Sequence, residues 1–187
     1  QLIAKQLQAD EDEIFDVGGR LLRKTLFGRH PYRFDPLGDR ATIGQLSRAS
    51  CLKFTKHWLV PSNAVLAVFG DINPDAVVKQ VDQTFGAMPS ERAPWPGQLP
   101  EDPPRDVRLA TQTMAKEQSL IMLGFPGITY AAKERSALEV MTAVLSGMSG
   151  RLFQAVREEH GLSYTLGAVN VPGWDPGYLV IYAATRP

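Results

Sequence analysis

Residues 87–104 hold six prolines among several charges. Proline lacks the amide proton that helices and sheets need, and its ring collides with the preceding helical turn, so this stretch resists both helix and central strand. The chain therefore reads as two structured parts around a break. We place residues 1–88 in the C-terminal part of a first α/β unit, residues 89–105 in a proline-rich linker, and residues 106–187 in the start of a second α/β unit.

The elements follow from hydrophobic period and punctuation. Residues 11–27 open on Glu11-Asp-Glu13, which suits a helix N-terminus, and carry Ile14, Val17, Leu21 and Leu22 up to Gly28. Thr42 and Ser47 are N-caps for a stretch bearing Leu46, Cys51, Phe54 and Trp58. The continuous apolar run 63–70 reads as a strand covered on both faces, and Asn73-Pro74 caps a helix with Val77, Val81 and Phe85 on one side. Beyond the linker, 107–113 and 120–125 read as strands, 130–145 as a helix closed by Gly147, and 150–160 as a second helix. Strands at 163–171 and 178–184 are joined by the hairpin connection Pro172-Gly-Trp-Asp-Pro-Gly177. The sum is an α+β chain with an incomplete first unit. The opening Gln1, with helical phase already running at Leu2, Ile3 and Leu7, and the end just after a strand pattern suggest a piece of a longer protein.

Composition narrows the function classes. Twenty basic and twenty acidic residues balance, so no net field draws the chain to nucleic acid or an anionic membrane. No apolar run approaches the length needed to span a bilayer. Cys51 has no second cysteine to pair with, and reads as a small buried apolar residue.

Chemistry-bearing residues are few. Glu158-Glu159-His160 resembles a fragment of the inverted zinc-peptidase signature His-x-x-Glu-His, but Val156 stands where its first histidine would be. Its plain reading is a solvated helix end with His160 near the negative pole. His30, in Gly28-Arg-His-Pro-Tyr-Arg-Phe34, reads as a packing residue of a structured loop, and His57 as a half-buried structural one. Gly147-Met-Ser-Gly150 reads as a tight turn, since it lacks the Lys-Ser/Thr ending of a phosphate loop. Arg157 and Tyr164 are the exception. They flank a helix break seven residues long, half helix and half strand start, which can bring a guanidinium and a phenol to one rim. Arginine offers a fixed fork of donors, and tyrosine a hydroxyl able to polarise an oxygen.

Three stretches carry a resemblance. They are Leu26-Phe-Gly-Arg-His-Pro-Tyr32 with Pro36-Leu-Gly38, then Phe54-Thr-Lys-His-Trp-Leu-Val-Pro-Ser-Asn-Ala-Val-Leu-Ala-Val-Phe-Gly-Asp71, then Gly147-Met-Ser-Gly-Arg-Leu-Phe-Gln-Ala-Val-Arg-Glu-Glu-His-Gly-Leu-Ser-Tyr164. In order and spacing they resemble the pitrilysin/insulinase family of zinc metallopeptidases, which includes the mitochondrial processing peptidase subunits. The resemblance implies two homologous-type α/β sandwich units with mixed or antiparallel sheets and helices on one face.

It also implies a division of labour. One half or subunit binds zinc on His-x-x-Glu-His plus a distant Glu, and the other closes over the peptide with an Arg and a Tyr that match Arg157 and Tyr164. The distant Glu falls near Gln6, and no acidic residue occurs in 1–9; a neutral amide is a poor zinc ligand. The expectation is a non-catalytic partner that binds no cofactor in this segment, with zinc in a catalytic partner or upstream segment. A homologous catalytic half and a peptide are the expected partners, with no nucleic acid and no membrane insertion. Two alternatives stand: an active zinc metalloendopeptidase whose motif lies upstream, and a scaffold subunit without peptidase activity. A bacterial origin is favoured, with the periplasm ahead of the cytoplasm.

Overall fold

The computed structural model describes residues 2–95, 97, 99 and 101–186. It is a mixed α/β structure with a small antiparallel sheet, folded as two compact units: residues 1–40 with 98–187, and residues 41–97. This grouping differs from the boundaries expected at 88 and 106. The N-terminal helices belong with the sheet because one of them buries its apolar face on a strand.

In the first unit, helix α1 spans Leu2–Asp12 and α2 spans Ile14–Leu26. They were expected to break before Glu11, but the break falls at Glu13, which is extended (φ −93°, ψ 118°) and starts α2 without a side-chain cap. Strand β1, Ser119–Pro126, pairs antiparallel with β3, Tyr178–Thr185, which pairs antiparallel with β2, Ser163–Val171. The strand order is β1-β3-β2. Leu120 faces Ala184 and Leu123 faces Ile181 across one ladder, and Val171 faces Tyr178 where the hairpin begins. Helix α2 lies directly on β1. A Cβ on Gly18 would sit 2.8 Å from the Leu120 side chain, and one on Gly124 would sit 2.7 Å from that of Leu22. Glycine at both positions sets the helix-to-strand distance. Val17, Leu26, Phe27, Ala168, Val180 and Ala184 are buried in this unit. Removing Phe27 from water contributes about 2 kcal/mol.

The second unit holds α3 (Arg40–Gly44, whose first residue lies in the first unit), α4 (Arg48–Trp58) and α5 (Pro74–Phe85). The caps expected at Ser47 and Asn73 are present, whereas Thr42 lies within α3 rather than capping a helix. The Ser47 hydroxyl accepts from the Ser50 amide in a reciprocal capping box, and the Asn73 side chain accepts from the amides of Asp75 and Ala76. The strand expected over 63–70 is not formed. Among the described residues of this unit there is no strand to pair with it, and Val65 and Phe69 are 98% and 92% exposed. Cys51 and His57 are likewise exposed rather than buried or half-buried: among the described residues, none covers their face of α4. Residues 107–113 likewise form no strand, with Val107 97% exposed.

The proline-rich stretch is tied down at both ends. Trp95 donates its indole N–H to Asn63 in one unit. In the other, the Glu101 carboxylate accepts the amides of Gly28 (2.6 Å), Arg29 (2.8 Å) and His30 (2.8 Å). Desolvation pushes the Glu101 carboxyl up, but the three amides and the nearby Arg108 outweigh it, and its pKa is lowered. A carboxyl with a lowered folded pKa stabilises above its unfolded pKa and loses that contribution as the pH falls through the folded one. Glu101→Gln should therefore lower the melting temperature at neutral pH. The gap to the parent protein should stay constant down to about the ordinary glutamate value of 4.5 and close below it. Thermal melts across that range check the sign.

Candidate functional site

The helix expected at 150–160 follows the turn Gly147-Met-Ser-Gly150. Gly147 has φ +83°, and a Cβ on Gly150 would fall 2.3 Å from the Ser146 carbonyl oxygen, so both glycines are required by a tight turn, as expected. The Ser146 hydroxyl donates to the Ala168 carbonyl (3.1 Å) and accepts the Ala168 amide (2.8 Å), fastening the turn to β2. The preceding helix α6 spans Arg135–Leu145.

Residues Phe153–Glu159 then form a π-helix rather than an α-helix. Its closure is widened to match. The Leu162 amide reaches back to the Val156 carbonyl (3.0 Å) and the Gly161 amide to the Arg157 carbonyl (2.9 Å), with Gly161 left-handed at φ +63°. This resembles the glycine-based helix ending in which two amides turn back, but each bond spans one residue more. Arg157 lies on this last turn, next to the strand beyond it.

Tyr164 meets it there. Ser163 pairs with Thr185 and Thr165 with Ala184, so Tyr164 is the extra residue of a β-bulge at the start of β2. A bulge re-aims the side chain it carries. Two hydroxyls hold it: Ser163, 5% exposed, donates to the Ala184 carbonyl (2.6 Å), and Thr185 donates to the Leu162 carbonyl (2.5 Å).

The guanidinium carbon of Arg157 lies 4.3 Å from the centroid of the Tyr164 ring and 4.7 Å from that of Phe153. The half-buried arginine thus lies over two aromatic rings. Such contacts contribute about 0.5–2 kcal/mol each and, more to the point, fix the plane of the fork. Tyr164 is 79% exposed. Among the described residues, neither the Arg157 N–H groups nor the Tyr164 hydroxyl has a hydrogen-bond or ion-pair partner. The Tyr164 hydroxyl is exposed, and both donor sets can serve a carbonyl or carboxylate oxygen. Phe153 was missed in the sequence; its i, i+4 spacing to Arg157 was the available signal.

The other candidates fall away from chemistry. His160 is exposed at the helix end, as expected. His30 is 4% exposed; its Nδ1 accepts the Tyr32 amide (3.2 Å), so Nε2–H donates to Asp175 (2.9 Å). The Tyr32 hydroxyl accepts the Trp174 amide (3.0 Å), so this loop locks the hairpin connection and has a packing role, as expected. Gln6 is exposed on α1 and donates its amide to Asp10 (2.7 Å). Among the described residues, no three His, Cys, Asp or Glu side chains gather as a metal site. The donor set around Gln6 does not fit zinc. No described helix is long and apolar enough to cross a membrane.

Comparison with known proteins gives the family and the fold. A zinc protease of Bacillus subtilis, YmxG, described as uncharacterized, is 30% identical over 185 residues, covering 98% of this chain and 44% of its own length. The chain thus spans under half the length of such relatives. A structure described as a peptidase M16 inactive domain from Pseudomonas fluorescens superposes with a TM-score of 0.80 at 23% identity, over 99% of this chain and 45% of that one. A protease from Helicobacter pylori superposes at 0.86 with 20% identity, over 100% and 46%. Both share the fold. The family described as Peptidase M16 inactive domain matches residues 45–187, and with most of its length inside that match, this chain belongs to the peptidase M16 inactive domain family.

Proposed function

We propose that this chain is the non-catalytic half of a pitrilysin-type zinc metallopeptidase, presenting Arg157 and Tyr164 to a peptide held against a catalytic half. The observation that carries the reading is the Arg157–Tyr164 stack, with both donor sets unpartnered among the described residues. In this role the Arg157 fork holds a peptide carbonyl or carboxylate by paired hydrogen bonds, while the Tyr164 hydroxyl donates to the carbonyl oxygen that gains negative charge during hydrolysis. The metal chemistry belongs to the catalytic half, because Gln6 and its surroundings do not fit zinc.

The test is reconstitution. The full-length protein, mixed with its catalytic partner, should restore hydrolysis of an unstructured peptide that neither cleaves alone. If this protein cleaves peptide unaided, the non-catalytic reading is lost.

A second reading is favoured by one observation, the description of the relatives as zinc proteases. There, the same polypeptide carries His-x-x-Glu-His outside residues 1–187. Activity of the isolated full-length protein, abolished by a chelator and restored by zinc, is its signature.

A further inference from the structure

β3 ends on Thr185, whose backbone pairs with Ser119 of β1 on one side and Ser163 of β2 on the other. Its side chain reaches further. The Thr185 hydroxyl donates to the Leu162 carbonyl (2.5 Å), one residue before β2 begins, and so extends the sheet past its last backbone rung. Leu162 is bonded in the other direction as well: its amide donates to the Val156 carbonyl (3.0 Å), inside the turn that carries Arg157. The two peptide groups of Leu162 thus join the helix end to the central strand.

The members of the Arg157–Tyr164 stack are rooted on either side of this link. Arg157 belongs to Phe153–Glu159, and Tyr164 is the extra residue of the bulge between Ser163 and Thr165. The Ser163 hydroxyl, with the carbonyls of Ala184 (2.6 Å) and Thr165 (3.0 Å) in reach, fixes the bulge itself. Both of those acceptors lie on the strands. The Thr185 hydroxyl instead holds the segment that leads back to Arg157.

Stability and geometry respond differently to this bond. Leu162 is 60% exposed, and its carbonyl would find water if the hydroxyl were lost. A hydrogen bond exchanged for one to water changes net stability little. A water molecule, however, does not hold two chain segments at a fixed distance.

We propose that Thr185 is a positioning residue of the Arg157–Tyr164 pair, setting the separation of guanidinium and phenol by tying Leu162 to β3. Its consequence for peptide hydrolysis rests on the function proposed above, whereas its consequence for the stack does not. Both donor groups must meet the peptide together, and a misplacement of about 1 Å can cost up to about 10²-fold in rate.

Variants of the full-length protein test this. Thr185→Val keeps a strand-forming side chain of similar shape without the hydroxyl, Thr185→Ala is a second hydroxyl deletion, and Thr185→Ser retains the donor. The first readout is the Arg157 Nε–H proton in NMR spectra, which the Phe153 and Tyr164 rings shield while the guanidinium lies over them. Thr185→Val and Thr185→Ala should lose much of this shielding and Thr185→Ser should keep it, with melting temperatures close to that of the parent protein. The second readout is peptide hydrolysis by the pair reconstituted with the catalytic half. Thr185→Val should lower kcat/KM by about 10-fold, and Thr185→Ser should restore it. In a Tyr164→Phe background the same change should cost about 3-fold or less, because the hydroxyl it positions is already gone. Unchanged Arg157 shielding in Thr185→Val overturns the proposal, as does a Thr185→Ser protein that behaves like Thr185→Val. A melting temperature that falls as far as in His30→Ala also overturns it, since the threonine then holds up the sheet as a whole. Lost shielding with an unchanged rate supports the positioning role and counts against the composite site instead.

Discussion

Arg157→Ala should cut peptide hydrolysis by the reconstituted pair by about 10²-fold or more, and Tyr164→Phe by about 10- to 10²-fold. The arginine is expected to matter more because its loss removes a charged fork lying over two rings, and charge-assisted bonds contribute about twice what neutral ones do. Tyr164→Phe keeps the ring against Arg157 and deletes only the hydroxyl, so its effect isolates the donor. Loss of a single donor to a developing oxyanion costs about 3 kcal/mol in well-formed sites; the smaller figure here reflects a hydroxyl on a side chain 79% exposed. The kinetic split separates the roles. The tyrosine variant should lower kcat with KM little changed, and the arginine variant should change both. Phe153→Leu, which removes a ring below Arg157 without touching a donor, should reduce the rate more mildly. Unchanged rates in both Arg157→Ala and Tyr164→Phe would sink the composite-site reading.

His30→Ala should be among the most destabilising substitutions, by about 3 kcal/mol, seen as a melting temperature lower by roughly 6–12 °C. The imidazole is buried and uses both nitrogens, and it makes a tilted contact with the Phe27 ring (5.8 Å) and an edge-on one with Tyr32 (4.2 Å). Its removal opens a cavity and leaves the Asp175 carboxylate, only 20% exposed, without its partner. Asp175→Asn should cost far less, about 1 kcal/mol, since the amide oxygen still accepts from Nε2–H. Equal losses in the two variants would mean that the Asp175 charge, rather than the buried ring, carries the stabilisation. Neither substitution should alter peptide hydrolysis at temperatures where the protein stays folded.

Local patterns carried much of this fold. The alternation in 163–171 and 178–184, with the glycine- and proline-rich connection between, specified a hairpin that forms at those positions. Ser47 and Asn73 announced two helix starts through side chains that reach only two or three residues. What the sequence could not show depends on distance or on missing neighbours. Glu101 caps amides 71 to 73 residues away, and Asp175 meets His30 across 145. The apolar run 63–70 has every strand propensity and no strand beside it among the described residues. For the candidate site, residue types and spacing pointed to Arg157 and Tyr164, but not to how they meet. A π-turn and a bulge each add one residue relative to regular structure, and no hydrophobic period reports that addition.

Those two additions make the Arg157–Tyr164 pair sensitive to chain length rather than to composition. Deleting one residue within Phe153–Glu159 would let an ordinary α-helix form, a gain for the backbone, while rotating the residues before the cut by about 100° relative to those after it. The guanidinium and the phenol would then face apart in a protein as stable as before. Exposed Gln154, Ala155, Glu158 and Glu159 can be exchanged freely, but none can be removed.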